Sequence, residues 1–146
     1  MLWKKILCAV DFSECSRDAL RVAAKLATEQ SAELVVAYAW TPPVVFAGET
    51  IGLPAGLLTD LIATAQRELA AWKTEAEGLG GAKVTTEFLT GAAWHEVVSL
   101  AKRDRSVGLI VTGTHGRTGI RHAVLGSIAE KIVRHSPCAV MIVPPA

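Results

Sequence analysis

A chain of 146 residues that is 51% hydrophobic, with a net charge of only +1, fits one domain with a sizeable core. The charge balance gives no reason to expect nucleic acid or an anionic membrane as partner. No apolar run is long enough to span a bilayer, and Met1-Leu2-Trp3-Lys4-Lys5-Ile6 lacks a signal-peptide layout because Asp11 and Glu14 interrupt it early. Three cysteines are an odd number without metal-ligand spacing, a pattern that suits a reducing cytoplasm. Cys8 and Cys138 fall in expected strands, as small hydrophobes. Cys15, near a helix start, is a candidate reactive thiol.

Ile6 to Val10 is a short continuous apolar strand. Asp11 to Ser16 is polar and leads into a helix with Ser13 or Ser16 as N-cap. Ala19, Val22, Ala23, Leu26 and Ala27 form that helix's apolar stripe. Leu34 to Ala39 is a second apolar strand. Thr41 to Gly56 holds three prolines and three glycines and reads as a loop, longer than most connections in a compact domain. Leu58, Leu61, Ile62, Ala65, Leu69 and Trp72 then define a long amphipathic helix, ended by Gly78, Gly80 and Gly81. Lys83 to Leu89 alternates between Val84, Thr86 and Phe88 on one side and Lys83, Thr85 and Glu87 on the other, as a half-exposed edge strand does. Gly91 turns into a helix striped by Trp94, Val97, Val98 and Ala101. Strands alternate with helices throughout, which predicts a parallel sheet with right-handed crossovers.

The last quarter carries the chemistry. An apolar strand, Leu109-Ile110-Val111, runs into Gly113-Thr114-His115-Gly116. A loop with Arg117 and Arg121 closes on Leu125-Gly126-Ser127. Ile128, Ala129, Ile132 and Val133 then recur at helical spacing, Pro137 stops the helix, and Ala139 to Val143 is a strand. A glycine-rich loop ending on a helix N-terminus is an anion site, because unpaired backbone N–H groups point outward and glycine permits close approach and positive φ. Ser127 is placed to cap the helix or to offer its hydroxyl to phosphate. No Lys precedes Ser127, so this is not a Walker A loop.

At these residues the chain resembles the universal stress protein family, in its nucleotide-binding branch. That branch carries glycine, two residues, glycine, nine residues, then glycine followed by serine or threonine. Gly113, Gly116, Gly126 and Ser127 match at every position. Val10-Asp11-Phe12-Ser13 and the closing Val140-Met141-Ile142-Val143-Pro144 match as well, so the resemblance covers one domain over residues 1–146. It implies an adenine-nucleotide alpha-hydrolase-like α/β fold. This is a single doubly wound domain with a five-stranded parallel sheet, order 3-2-1-4-5, and helices on both faces. The sequence by itself does not supply that order. In it the chain reverses between strands 1 and 4, where open α/β sheets bind ligands. The resemblance also implies ATP and Mg2+ as ligands. Asp11 would meet the ribose or a metal-bound phosphate region, and the backbone of Ala39 the adenine edge. Gly113, Gly116, Gly126, Ser127 and Ile128 would gather the rest of the nucleotide.

Each residue also has a plainer role. Asp11 is a possible helix cap. Arg117 and Arg121 are either solvated loop residues or electrostatic support for phosphates, where a guanidinium fork suits the geometry. His115 and His122 lack an evident nucleophile to serve, and His95 and His135 read as structural. The chain departs from the family at Gly108, where an acid is usual, and in the loop Thr41 to Gly56.

Three functions compete: an ATP-binding regulatory protein acting on an unknown protein partner, a slow ATPase or phosphoryl or nucleotidyl transferase, and a dimeric scaffold with an empty pocket. Phosphoryl transfer needs in-line positioning, charge neutralisation and an oriented nucleophile. The sequence offers candidates for charge neutralisation only, and relatives with a Ser-Gly-Gly loop after strand 1 are excluded by Asp11-Phe12-Ser13. Binding is therefore favoured over turnover. The final strand, apolar on both faces and without a charge, predicts a homodimer, since a bare sheet edge recruits another strand.

Overall fold

The computed structural model describes residues 2–42, 54–115 and 125–146. The elements in chain order are β1 (Lys5–Val10), α1 (Glu14–Gln30), β2 (Glu33–Trp40), α2 (Ala55–Gly78), β3 (Val84–Thr90), α3 (Ala93–Arg103), β4 (Val107–Gly113), α4 (Ser127–His135) and β5 (Ala139–Val143). The strands form one five-stranded sheet in the order β3-β2-β1-β4-β5, and every adjacent pair is parallel. The expected order and fold class therefore hold. No helix among the described residues is long and apolar enough to cross a membrane.

Strand alternation divides the core in two. Ile6, Cys8, Leu34, Val36, Leu109 and Val111 face α1 and α2. Leu7, Val35, Ala37 and Ile110 face α3 and α4. β1 lies at the centre, and Ile6, Leu7 and Cys8 are fully buried. A strand covered on both faces must be apolar on both, which is why Ile6 to Val10 reads as an unbroken run. Each fully buried aliphatic side chain contributes about 1.5–3 kcal/mol through removal from water.

Three sequence expectations shift. The buried stripe of α1 is wider than read: Leu20 and Ala24 are buried, whereas Val22 and Leu26 are only half-buried. This helix lies against β1 and β4 and also touches α2, so it is covered on more than one side. In α2, Ala65, Leu69, Trp72 and Ala76 are buried but Leu61 is 44% exposed, because the packed part of the helix is its later turns. The cap of α2 is Leu79 in right-handed conformation, so no glycine makes a left-handed stop there. Of the loop Thr41 to Gly56, residues 43–53 lie outside the described residues.

The departure at Gly108 has a steric account. The β1–β4 register shifts between Lys5 and Ile6, which pair with Val107 and Leu109. Gly108 is therefore the extra residue of a bulge. A Cβ there would stand 2.7 Å from Trp3 Cδ1, so an acid would have to displace that ring.

Candidate functional site

Parallel strands bring the ends of β1, β2, β4 and β5 to one side of the sheet. The β1–β4 register pairs Cys8 with Val111; carried on, it sets Val10 level with Gly113 and Asp11 one residue further, at the level of Thr114, across the point where strand order reverses.

Asp11 does not cap α1. Ser13 does: its hydroxyl oxygen accepts from Ser16 N at 3.2 Å. Asp11 acts one step earlier, its Oδ1 accepting from Ser13 N at 3.0 Å and from the Ser13 hydroxyl. Ser16 closes the ring, its Oγ donating to Ser13 O at 3.0 Å and accepting from Asp11 N at 3.2 Å. This turn holds the carboxylate at the mouth of the crevice. Between the two polar residues, Phe12 adopts φ +64°, a left-handed conformation unusual for an aromatic residue. Its ring stacks on Tyr38 at 4.3 Å and meets Trp72 edge-on at 5.4 Å. The stack supplies the packing that offsets the backbone strain.

Gly113 ends β4. A Cβ there would come within 2.7 Å of Cys15 Sγ and 3.1 Å of the Cys15 carbonyl oxygen, so the glycine is demanded by contact with α1. Gly126 is the N-cap of α4 at φ −61° and ψ 156°, a conformation open to any residue. Its need for glycine is again contact: a Cβ would lie 2.7 Å from Thr114 O. That carbonyl accepts from Gly126 N at 2.8 Å and so ties the two ends of the glycine loop together. Ser127 is the first residue of α4 and does not cap it; the helix opens with no side-chain cap hydrogen bond. Its first N–H groups keep the orphan character that favours an anion. Ile128 follows with 43% of its surface exposed.

The register sets Asp11 within one residue of Gly113, and the Thr114 hydrogen bond brings Gly126, with Ser127 and Ile128 following it, to the end of β4. Ala39 stands one residue from the end of β2, half-buried, opposite Leu89. Gly116, Arg117, Arg121 and His122 lie outside the described residues. Among the described residues no group of three or more His, Cys, Asp or Glu side chains is placed to hold a metal ion. His95 contacts Glu96 at 3.3 Å and the ring of His135 lies 5.1 Å from Trp94. The sequence reading missed Thr114, whose carbonyl closes the loop and whose hydroxyl lies 3.7 Å from Cys15 Sγ and 3.0 Å from His115 Nδ1. Its place between two motif glycines was the available signal.

The profile of the universal stress protein family matches residues 2–144. The chain belongs to that family. Universal stress protein MJ0531 of Methanocaldococcus jannaschii is 35% identical over 97% of this chain and 82% of its own length. Universal stress protein YxiE of Bacillus subtilis is 30% identical over 97% and 99%. Among solved structures, universal stress protein UspA from Lactobacillus plantarum superposes with a TM-score of 0.86 at 23% identity, covering 98% of this chain and 99% of that one. Two universal stress proteins of the same fold were solved as complexes. One, with cAMP, has a TM-score of 0.76 at 23% identity over all of both chains. The other, from Archaeoglobus fulgidus with dAMP, has 0.69 at 20% identity, covering 98% and 99%.

Proposed function

We propose that this universal stress protein binds ATP with Mg2+ and acts as a nucleotide-dependent regulator of an unknown protein partner. The observation that carries the reading is the opening of α4. Its N-cap is a glycine with no side-chain cap hydrogen bond, and it is tied back at 2.8 Å to Thr114, the residue that follows β4. Phosphate suits such unpaired N–H groups. That family neighbours hold cAMP and dAMP supports an adenine nucleotide.

In this reading Gly113, Gly116, Gly126, Ser127 and Ile128 surround the phosphates, Arg117 adds charge, and the Ala39 backbone meets the adenine edge. Asp11 contacts ribose or metal. Bound Mg2+ would neutralise phosphate charge, drawing most of its oxygen ligands from phosphates and water. We read these residues as a binding site, and the protein as a switch in the cytoplasm. We further read residues 1–146 as one universal stress protein domain that forms a homodimer through β5. Val140, Met141 and Ile142 are only half-buried there, and Val133 of α4 is 49% exposed.

The test is calorimetric titration with ATP and Mg2+ of the native protein and of Gly126→Val. The variant's Cβ must displace Thr114 O, so binding should be lost while circular dichroism stays native. Unchanged affinity would remove the phosphate-loop reading.

A further inference from the structure

We propose that Cys15 is a modification site for low-molecular-weight disulfides, served by a proton relay through Thr114 to His115, and that the adduct weakens ligand binding at the adjoining loop. Cys15 lies in the first turn of α1, while Thr114 and His115 follow β4. The fold brings these groups together across 99 residues of sequence, with Sγ 3.7 Å from Thr114 Oγ1. Thr114 Oγ1 is in turn 3.0 Å from His115 Nδ1. With the imidazole proton on Nε2, the thiol donates to the hydroxyl and the hydroxyl to Nδ1. A nucleophile, a bridging hydroxyl and a base then stand in series. The Val143 carbonyl, 3.9 Å from Sγ, is the longer of the two contacts open to the thiol.

The other cysteines lack this setting. Cys8 is fully buried, which pushes its thiol up to about 12. Cys138 contacts the Ser136 hydroxyl at 3.6 Å. Cys15 is half-buried, with its sulfur held between the Thr114 hydroxyl and the Val143 carbonyl.

The step is thiol–disulfide exchange. The Cys15 sulfur attacks one sulfur of the reagent as its proton passes through Thr114 to His115. A new S–S bond forms, the reagent's own S–S bond breaks, and the departing thiolate takes the proton. No net oxidant beyond the disulfide is needed.

The effect on binding follows from crowding. A Cβ on Gly113 would already lie 2.7 Å from Sγ, and Thr114 holds Gly126. A substituent on sulfur therefore presses on both roots of the glycine loop. This second half rests on the nucleotide reading given above; the modification itself does not.

The experiment treats the folded protein with glutathione disulfide and follows each cysteine by peptide mass spectrometry. Cys15 should react about tenfold faster than Cys138. Thr114→Val and His115→Gln should each slow Cys15 by about tenfold, less than a fully positioned general base contributes, and Thr114→Ser should restore the rate. Equal rates at Cys15 and Cys138, or a Thr114→Val variant that reacts like the native chain while folded, overturns the site. Calorimetry with ATP and Mg2+ then compares adduct with untreated protein. Weaker binding by the adduct supports the coupling, and equal binding overturns it. If the untreated protein binds no ATP, the nucleotide reading and the coupling both fall, while the cysteine rates still decide the modification site.

Discussion

Asp11 is the residue at which stability and ligand binding can be separated, and Asp11→Asn against Asp11→Ala does it. The carboxylate accepts two hydrogen bonds through Oδ1, from Ser13 N and the Ser13 hydroxyl. Ala removes both and frees the capping hydroxyl to rotate away from Ser16 N. At about 1 kcal/mol for each net hydrogen bond, Ala should destabilise the ligand-free protein by about 2 kcal/mol. At this chain length that is a fall in Tm of about 6 °C. Asn keeps an oxygen at the same place, so the turn persists and the loss should stay below about 1 kcal/mol. Both substitutions remove the negative charge, and both should weaken ATP with Mg2+ by about tenfold or more, equivalent to about 1.4 kcal/mol. Thermal melts of the ligand-free variants beside calorimetric titrations read the two effects. If Asn binds ATP like the native chain, Asp11 is a structural residue only. If Ala melts with the native protein, the two hydrogen bonds to Ser13 add nothing to stability.

Asp104 offers a pH test. The Lys5 ammonium at 2.6 Å, together with the Ser106 hydroxyl and N–H, lowers its pKa from 3.8 to about 2. A depressed acid stabilises the fold above its unfolded pKa, and the benefit is lost as pH falls from about 4 to about 2. The Asp104 side chain is 34% exposed, so screening discounts the effect. Asp104→Asn should cost about 1 kcal/mol at pH 7, with the gap in urea midpoint closing below pH about 4; a pH-independent gap would refute it. Ile142→Glu places a charge on the β5 edge and should convert the proposed homodimer to monomer by light scattering at micromolar concentration, and a native protein that is already monomeric would show the edge to be misread.

The alternation of strands and helices was legible because each period is local: Ile6 to Val10, Leu34 to Ala39 and the stripe Val97, Val98, Ala101 declare themselves. Strand order was not, since pairing β1 with β4 depends on residues far apart; it came through the motif. Solvent exposure also escaped the pattern. Leu61 keeps helical phase with Ala65 and Leu69 yet is exposed, because periodicity records direction and not whether a neighbour is present. At the site, glycine spacing found the loop but not the cause. Gly126 avoids a carbonyl and has negative φ. Phe12 gave no hint of its left-handed backbone, which depends on a ring stacked on Tyr38 and edge-on to Trp72.

The central place of β1 has a kinetic consequence. Its pairing with β2 joins Lys5 to Glu33, but its pairing with β4 joins Lys5 to Val107. The second closure spans a loop more than three times longer and costs about 1 kcal/mol more in chain entropy. Non-local pairing of this kind slows folding. A β1-α1-β2 unit can gather early, whereas the crevice between Asp11 and Gly113 has only one wall until β4 docks. The chain can therefore acquire much of its helix and sheet before it acquires a pocket. In refolding followed by stopped flow, secondary structure should appear before any ligand-dependent signal.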